Sequence, residues 1–263
     1  RGISSTTRFF RELFAASLAS EMKRLLVDVL PLPNETPPQN LEWSPVVIDL
    51  LRATTTIVTA LYHGAAGIFP VTTIEQARQQ VEQDGLLAGE RGGLPPEGFH
   101  FGNSPLEMIE KGVRGRRLWF TTSNGTRALA ASRRYGLPLV VSMLNLESTV
   151  SCLVRRGKPV LLVCSGNSGS ESREDTFLAG AVALALSQHE SNAYRPPKRA
   201  ETAVDLYLEG KDDVTAFLLK CPHGEKLVRI GMEADVKYAA QENVCPVVVC
   251  QQSDGWLRPQ SLT

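Results

Sequence analysis

Apolar runs of strand length that alternate with segments of helical period predict an α/β protein: three layers, α/β/α, around a largely parallel or mixed sheet. Two observations carry this. Runs such as Val46 to Leu50 (VVIDL) and Val160 to Cys164 (VLLVC) read as strands buried on both faces, as crossover helices above and below a parallel sheet require. Residues that favour loops and helix starts, Gly, Ser, Thr and Asn, recur where these strands end.

In chain order the pattern gives a strand over 46–50, a helix over 54–62, a strand over 67–71 and a helix over 74–83. A short strand over 86–88 follows, then a helix over 104–111 with Pro105 in its first turn, where the missing N–H costs nothing. Arg117 to Thr121 (RLWFT) is a strand, 126–134 a helix, 137–142 a strand, 146–155 a helix, and VLLVC leads into a helix over 175–187. The polar stretch 188–199, with Pro196 and Pro197, is the candidate internal linker. Helices near 203–208, 214–219 and 233–241 and a strand over 246–250 complete the pattern.

Residues 1–21, rich in Arg and Ser and poor in acids, are expected to lie outside the fold, either as a transit-like segment or as an extension upstream of Met22. Residues 22–263 form the expected single domain, with 188–199 as the place where two subdomains would divide.

Lys and Arg total 28 and Asp and Glu total 28, so the chain of 263 residues carries no formal net charge. A general nucleic-acid surface needs a basic excess, and none exists here. The longest uncharged apolar stretch, 178–187, is too short to span a bilayer, so no membrane association is expected. Five cysteines at irregular spacings argue for free, packed thiols and a cytoplasmic setting, with organelle targeting by residues 1–21 left open. A homodimer is the base-rate expectation for assembly.

In a parallel sheet, ligands bind beyond the carboxyl ends of the strands, where helix N-termini offer free N–H groups. The first such end carries Asp49 and Arg52-Ala53-Thr54-Thr55-Thr56, and another carries Gly89-Glu90-Arg91-Gly92-Gly93. RLWFT runs into Thr122-Ser123-Asn124-Gly125-Thr126-Arg127, and VLLVC into Ser165-Gly166-Asn167-Ser168-Gly169, then Glu174-Asp175. Singly these are ordinary caps and turns; together they describe an anion site that also holds a cation. Arg52, Arg91 and Arg127 can grip oxyanions, and Asp49, Glu90 and Asp175 offer hard oxygen ligands for Mg²⁺.

Several phosphate chemistries are excluded. The loop at Gly166 lacks the Gly-Lys-Ser/Thr of a Walker loop, and no Gly-x-Gly-x-x-Gly occurs. Asp49-Leu50-Leu51 lacks the second aspartate of an aspartyl-phosphate enzyme, and no cysteine has an arginine six residues on. His63, His100, His189 and His223 lack metal-ligand spacing. Metal-assisted attack by water survives.

Taken together, Val47-Ile48-Asp49-Leu50-Leu51-Arg52-Ala53-Thr54-Thr55-Thr56, Ala88-Gly89-Glu90-Arg91-Gly92-Gly93, Gly98-Phe99 with Gly102-Asn103-Ser104-Pro105, and Thr121 to Leu129 resemble, in that order, the 2-phosphosulfolactate phosphatase (ComB) family. Cys164-Ser165-Gly166, Glu174-Asp175-Thr176 and Gly231 to Asp235 extend the resemblance over nearly everything after Met22. Leu50 and Ser123 depart mildly, standing where Val and Thr are frequent.

The resemblance implies a ComB-like fold and a Mg²⁺-dependent hydrolase that converts 2-phospho-3-sulfolactate to 3-sulfolactate and phosphate, a step of coenzyme M biosynthesis. On this reading Asp49, Glu90 and Asp175 are expected to hold Mg²⁺ directly or through water, with one of them orienting the attacking water. Arg52, Arg91, Arg127, Thr54, Thr55, Asn103, Asn124, Ser165 and Gly166 would then bind a small anionic phosphate ester. Two alternatives stand beside it: a phosphatase of other 2-hydroxy-acid phosphates, and a non-catalytic anion-binding protein on the same scaffold.

Overall fold

The apolar runs become strands whose successive residues feed opposite layers. The computed structural model describes residues 26–80, 85–189 and 197–260. Among these the strands are β1 (Val27–Leu30), β2 (Ser44–Ile48), β3 (Gly67–Pro70), β4 (Leu86–Gly89), β5 (Arg117–Thr121), β6 (Leu139–Val141), β7 (Val160–Cys164), β8 (Val248–Gln251) and β9 (Leu257–Gln260). They form one sheet in the order β1-β7-β2-β6-β8-β9-β3-β5-β4. Val46 and Ile48 of β2 enter one core and Val47 another; Leu139 and Val141 of β6 are opposed to Val140 in the same way. Burial on both faces explains why these strands are continuously apolar, and each such fully buried side chain contributes about 1.5–3 kcal/mol.

Helices cover both faces. On the outer face of the β1-β7-β2-β6 block lie α5 (Leu146–Arg156), α6 (Arg173–His189), α7 (Lys198–Gly210), α8 (Val214–Lys220), α9 (Pro222–Arg229) and α10 (Glu233–Ala239). The other core takes residues of α1 (Ala53–Tyr62), α3 (Pro105–Lys111) and α4 (Gly125–Ser132), while α2 (Ile74–Gln79) joins a smaller cluster around Trp119 and Leu87. Helix α6 is apolar nearly all round because α7 covers the side that the sheet does not. A Cβ on Gly180 would lie 1.9 Å from the Ala203 carbonyl oxygen, so only glycine permits this approach. The segment 188–199 therefore joins two closely packed helices; residues 190–196 within it, and residues 1–21, lie outside the described residues.

The sheet is mixed. Strands β1, β7, β2 and β6 are mutually parallel, as are β3, β5 and β4, but β6–β8, β8–β9 and β9–β3 are antiparallel. Three reversals make the two parallel blocks run in opposite senses along the ladder. Their carboxyl ends nevertheless meet. Twist accounts for this: at about 20–25° per step, the five steps from β2 to β5 rotate the strand direction by roughly 100° or more. Val47 and Val140 of one block accordingly share a core with Leu118 and Phe120 of the other.

The structure departs from the expected elements in places. The first expected strand stops at Ile48, which leaves Asp49 in the following loop. The helix expected over 74–83 ends at Gln79. Strands β1 and β9 and helix α9 were not expected from periodicity. Strand β9 returns through Asp254-Gly255, with Gly255 at φ +91° and its N–H donating to the Gln252 carbonyl at 3.0 Å.

Candidate active site

Asp49 leaves β2 into a loop whose backbone is fastened by the threonines that follow. Thr54 Oγ1 donates to the Asp49 carbonyl at 2.9 Å and accepts from the Asp49 N–H at 3.2 Å, and Thr55 Oγ1 donates to the Leu50 carbonyl at 2.7 Å. Oδ1 of Asp49 accepts from the Ala53 N–H at 3.2 Å at the start of α1. Both threonine hydroxyls are buried and spent on the backbone, so they shape the loop and do not face a ligand.

Asp175 ties this loop to the one after β7. Its Oδ1 accepts from the Leu50 N–H at 2.9 Å, and its Oδ2 accepts from Ser165 Oγ at 2.9 Å and the Gly166 N–H at 3.2 Å. Its own N–H donates to Ser172 Oγ at 3.2 Å, which places the carboxylate in the first turn of α6, where the helix dipole favours it.

Glu90 plays the matching part in the second block. It follows β4, and its Oε1 accepts from the Ser123 N–H at 2.7 Å while its Oε2 accepts from the Gly93 N–H at 2.8 Å. The two blocks touch where α4 begins: a Cβ on Gly125 would lie 2.6 Å from Asp49 Oδ2 and 2.6 Å from the Ala53 Cβ. Glycine here lets the start of α4 reach the carboxylate.

Between these loops lies a cavity of about 160 Å³, lined by Asp49, Leu51, Arg52, Glu90, Gly92, Gly93, Asn103, Ser123, Asn124, Asn167, Ser168, His223 and Lys226. Five water-sized volumes would fill such a space, at about 30 Å³ each. Only a small ligand fits. Arg52 forms part of the wall but is already committed: Nη1 donates to Asp235 Oδ2 at 2.6 Å and Nη2 to the Gly93 carbonyl at 2.8 Å, while Ser104 Oγ donates to Asp235 Oδ1 at 2.7 Å. This buried pair anchors α10 to the site.

Of the other expected residues, Asn103 and Asn124 line the cavity. Arg91 turns back, donating to the Glu90 carbonyl at 2.6 Å and to Thr121 Oγ1 at 2.9 Å. Arg127 is exposed on α4, and Ser165, Gly166 and Asp175 lie behind the cavity wall. Sequence reasoning missed Asp235, His223 and Lys226 as parts of the site, while Glu174, named with Asp175, lies outside the cavity lining. His223 and Lys226 were hidden because α9 was not foreseen; Pro222 at its first turn was the available signal.

The electrostatics are those of crowded acids. Burial, with Glu90 and Glu174 nearby, raises the Asp49 carboxyl to about 7, against the lowering effect of the Ala53 N–H and the Ser165 hydroxyl. Burial, then Asp49 and Glu174, push Asp175 well above the usual carboxylate range, and burial raises Glu174. Burial, reinforced by Lys226 and Arg52, pulls His223 down to about 4, so its ring is neutral at pH 7.

Asp49 and Glu90 are the carboxylates that line the cavity. Asn103, 5% exposed, adds an amide oxygen, Oδ1, that is buried without a hydrogen-bond partner. Two carboxylates and a free amide oxygen suit Mg²⁺, a hard ion that keeps several waters. Among the described residues no three His, Cys, Asp or Glu side chains are grouped to hold a metal ion, so Asn103 and water would complete the set. All five cysteines are free and buried, and burial raises the Cys164 thiol well above its ordinary range, so it is not a nucleophile. No helix among the described residues is long and apolar enough to cross a membrane.

The family model described as 2-phosphosulpholactate phosphatase matches residues 30–254, which include every residue of this site. A protein of Thermotoga petrophila named "Probable 2-phosphosulfolactate phosphatase" is 37% identical over 204 residues, covering 77% of this chain and 86% of its own. Proteins of the same name from Synechococcus sp. (strain WH7803), 39% identical over 81% of this chain and 88% of its own, and Parasynechococcus marenigrum, 36% identical over 86% and 96%, agree. The chain belongs to the 2-phosphosulfolactate phosphatase family.

Proposed function

We propose that the protein is a Mg²⁺-dependent phosphatase that hydrolyses 2-phospho-3-sulfolactate to 3-sulfolactate and phosphate, the kind of step that serves coenzyme M synthesis. The observation that carries this reading is the meeting, in one small polar cavity, of two carboxylates and an unpartnered amide oxygen with the guanidinium of Arg52. The substrate brings about four negative charges on three carbons, which calls for a cation and closely placed donors. The family relatives carry the name of this activity.

Asp49, Glu90 and Asn103 would hold Mg²⁺, which when bound supplies charge neutralisation at the phosphoryl oxygens. Asp49 orients the water for direct attack, since no cysteine lines the cavity and the hydroxyls of Ser123 and Ser168 make no hydrogen bond to a carboxylate or imidazole that could activate them. Asn124 and the start of α4 offer donors to the oxyanion. Asp175, Thr54 and Thr55 act by holding the loops in place.

Phosphate release from 2-phosphosulfolactate, measured with Mg²⁺ and with excess chelator, tests the reading. Release that requires Mg²⁺ is expected, with 2-phospholactate and phosphoglycerate turned over more slowly. No release under either condition would remove the enzyme reading, and equal rates on all three esters would move the substrate to 2-hydroxy-acid phosphates in general.

A further inference from the structure

The hydrolytic residues come from strand ends, but part of the cavity wall comes from α9, a helix with no share in that chemistry. His223 and Lys226 are three residues apart on α9 and therefore on one face, and both line the cavity. The position of this face is fixed. A Cβ on Gly224 would lie 1.9 Å from the Leu218 carbonyl oxygen, so α9 is pressed against α8, and Leu227 is fully buried beneath it. His223 Nδ1 is buried without a hydrogen-bond partner, and the Lys226 ammonium makes no ion pair or hydrogen bond among the described residues.

Two polar groups thus face a ligand-sized space with nothing to satisfy them. Arg52, the lone arginine of the lining, has its charge paired with Asp235 and spends an N–H of Nη1 on Asp235 and one of Nη2 on the Gly93 carbonyl, which leaves Lys226 as the cation of the lining without an ion pair among the described residues. A planar carboxylate is best met by a guanidinium fork, whereas a lysine ammonium is a point charge with three donors, suited to a head of three equivalent oxygens. Asp49 and Glu90 in the same lining would repel an anionic head unless a cation lay between, so the phosphoryl group belongs with the cation and the other head with Lys226.

We infer that His223 and Lys226 form the arm that recognises the sulfonate end of the substrate, an inference that rests on the phosphatase reading above. Lys226 supplies the charge and His223 a neutral N–H donor. Because its ring stays neutral, His223 binds the tail without carrying a proton to the leaving oxygen. The arm makes the enzyme selective for a sulfonated ester over the same ester lacking that group.

Steady-state kinetics of the full chain with Mg²⁺, on 2-phosphosulfolactate and on 2-phospholactate, test this in Lys226→Met, His223→Gln and Lys226→Arg. Lys226→Met is expected to raise KM for the sulfonated ester by about 10- to 100-fold with little change in kcat, and to leave 2-phospholactate within about twofold. His223→Gln shifts the same KM less, and Lys226→Arg restores part of the loss. Equal losses on both esters, or no loss on either, would overturn the arm while leaving the phosphatase intact. If the wild type turns over neither ester, calorimetric titration with 3-sulfolactate decides: binding that Lys226→Met abolishes keeps the arm and removes the phosphatase, and no binding removes both.

Discussion

Two cavities open at opposite ends of the sheet. The one at the carboxyl ends holds about 160 Å³, and the one near the amino ends of β2, β6 and β7, lined by Trp43, Pro45, Tyr135, Leu137, Arg156 and Lys158 among others, about 560 Å³. The larger has charges that are already satisfied: Lys158 pairs with Glu42, and Arg156 donates to Gln260 Oε1 at 2.9 Å. One amide oxygen there, Gln251 Oε1, lacks a partner, but Glu42, paired with Lys158, is the one carboxylate of that lining. The smaller cavity gathers Asp49, raised to about 7, with the orphaned Asn103 and His223. Unresolved charge, and not volume, separates a place for chemistry from a crevice.

That contrast can be broken most directly at Asp49. Asp49→Asn keeps the shape and removes the charge, and turnover is expected to fall by about 10²- to 10³-fold, as read by phosphate release under saturating Mg²⁺. A variant within a few-fold of the wild type would take Asp49 out of the mechanism.

Asp175→Ala tests whether a carboxylate behind the wall is structural. It strips the Leu50 N–H, the Ser165 hydroxyl and the Gly166 N–H of their acceptor, and a loss of about 2–4 kcal/mol is expected by urea denaturation. Unchanged stability would show that the two loops do not depend on it.

Crowded acids also predict a pH effect. The folded Asp49 carboxyl titrates near 7 and the unfolded one near 3.8, so the folded state binds more protons between these values. Its contribution is favourable at the acid end of that window and is lost as pH rises through 7. In chelator at pH 8, Asp49→Asn should therefore be more stable than the wild type by about 1–3 kcal/mol, with the gap closing towards pH 4. A gap that does not change with pH would contradict the crowding.

At the other cavity, Lys158→Ala removes an exposed ion pair, and both kcat/KM and stability should stay close to the wild type, within about twofold and 0.5 kcal/mol. A large loss of activity would give that cavity a role.

Much of the fold was legible because strands buried on both faces write themselves as apolar runs, and β5 and β7 occupy the residues expected of them. Strand β9 was not, since only Leu257 of its four residues is buried and Pro259 disguises it, although Asp254-Gly255 announced the turn. In the site, residue type located the right loops, but direction was invisible. Thr54, Thr55 and Arg91 lie where the motifs put them and point at backbone. Periodicity assigns a residue to a loop; only packing decides which way it turns. The pairing of Arg52 with Asp235, 183 residues apart, has no local signature at all.

The antiparallel ribbon of β8 and β9 sits between the two parallel blocks and is made from residues 248–260, later in the chain than every residue of the cavity. During synthesis, Asp49 and Glu90 are therefore translated long before the strands that join their blocks exist. Until residues 248–260 emerge, the two blocks are held together by side-chain packing such as that of Val47 and Val140 on Leu118 and Phe120, without a continuous hydrogen-bonded ladder between them.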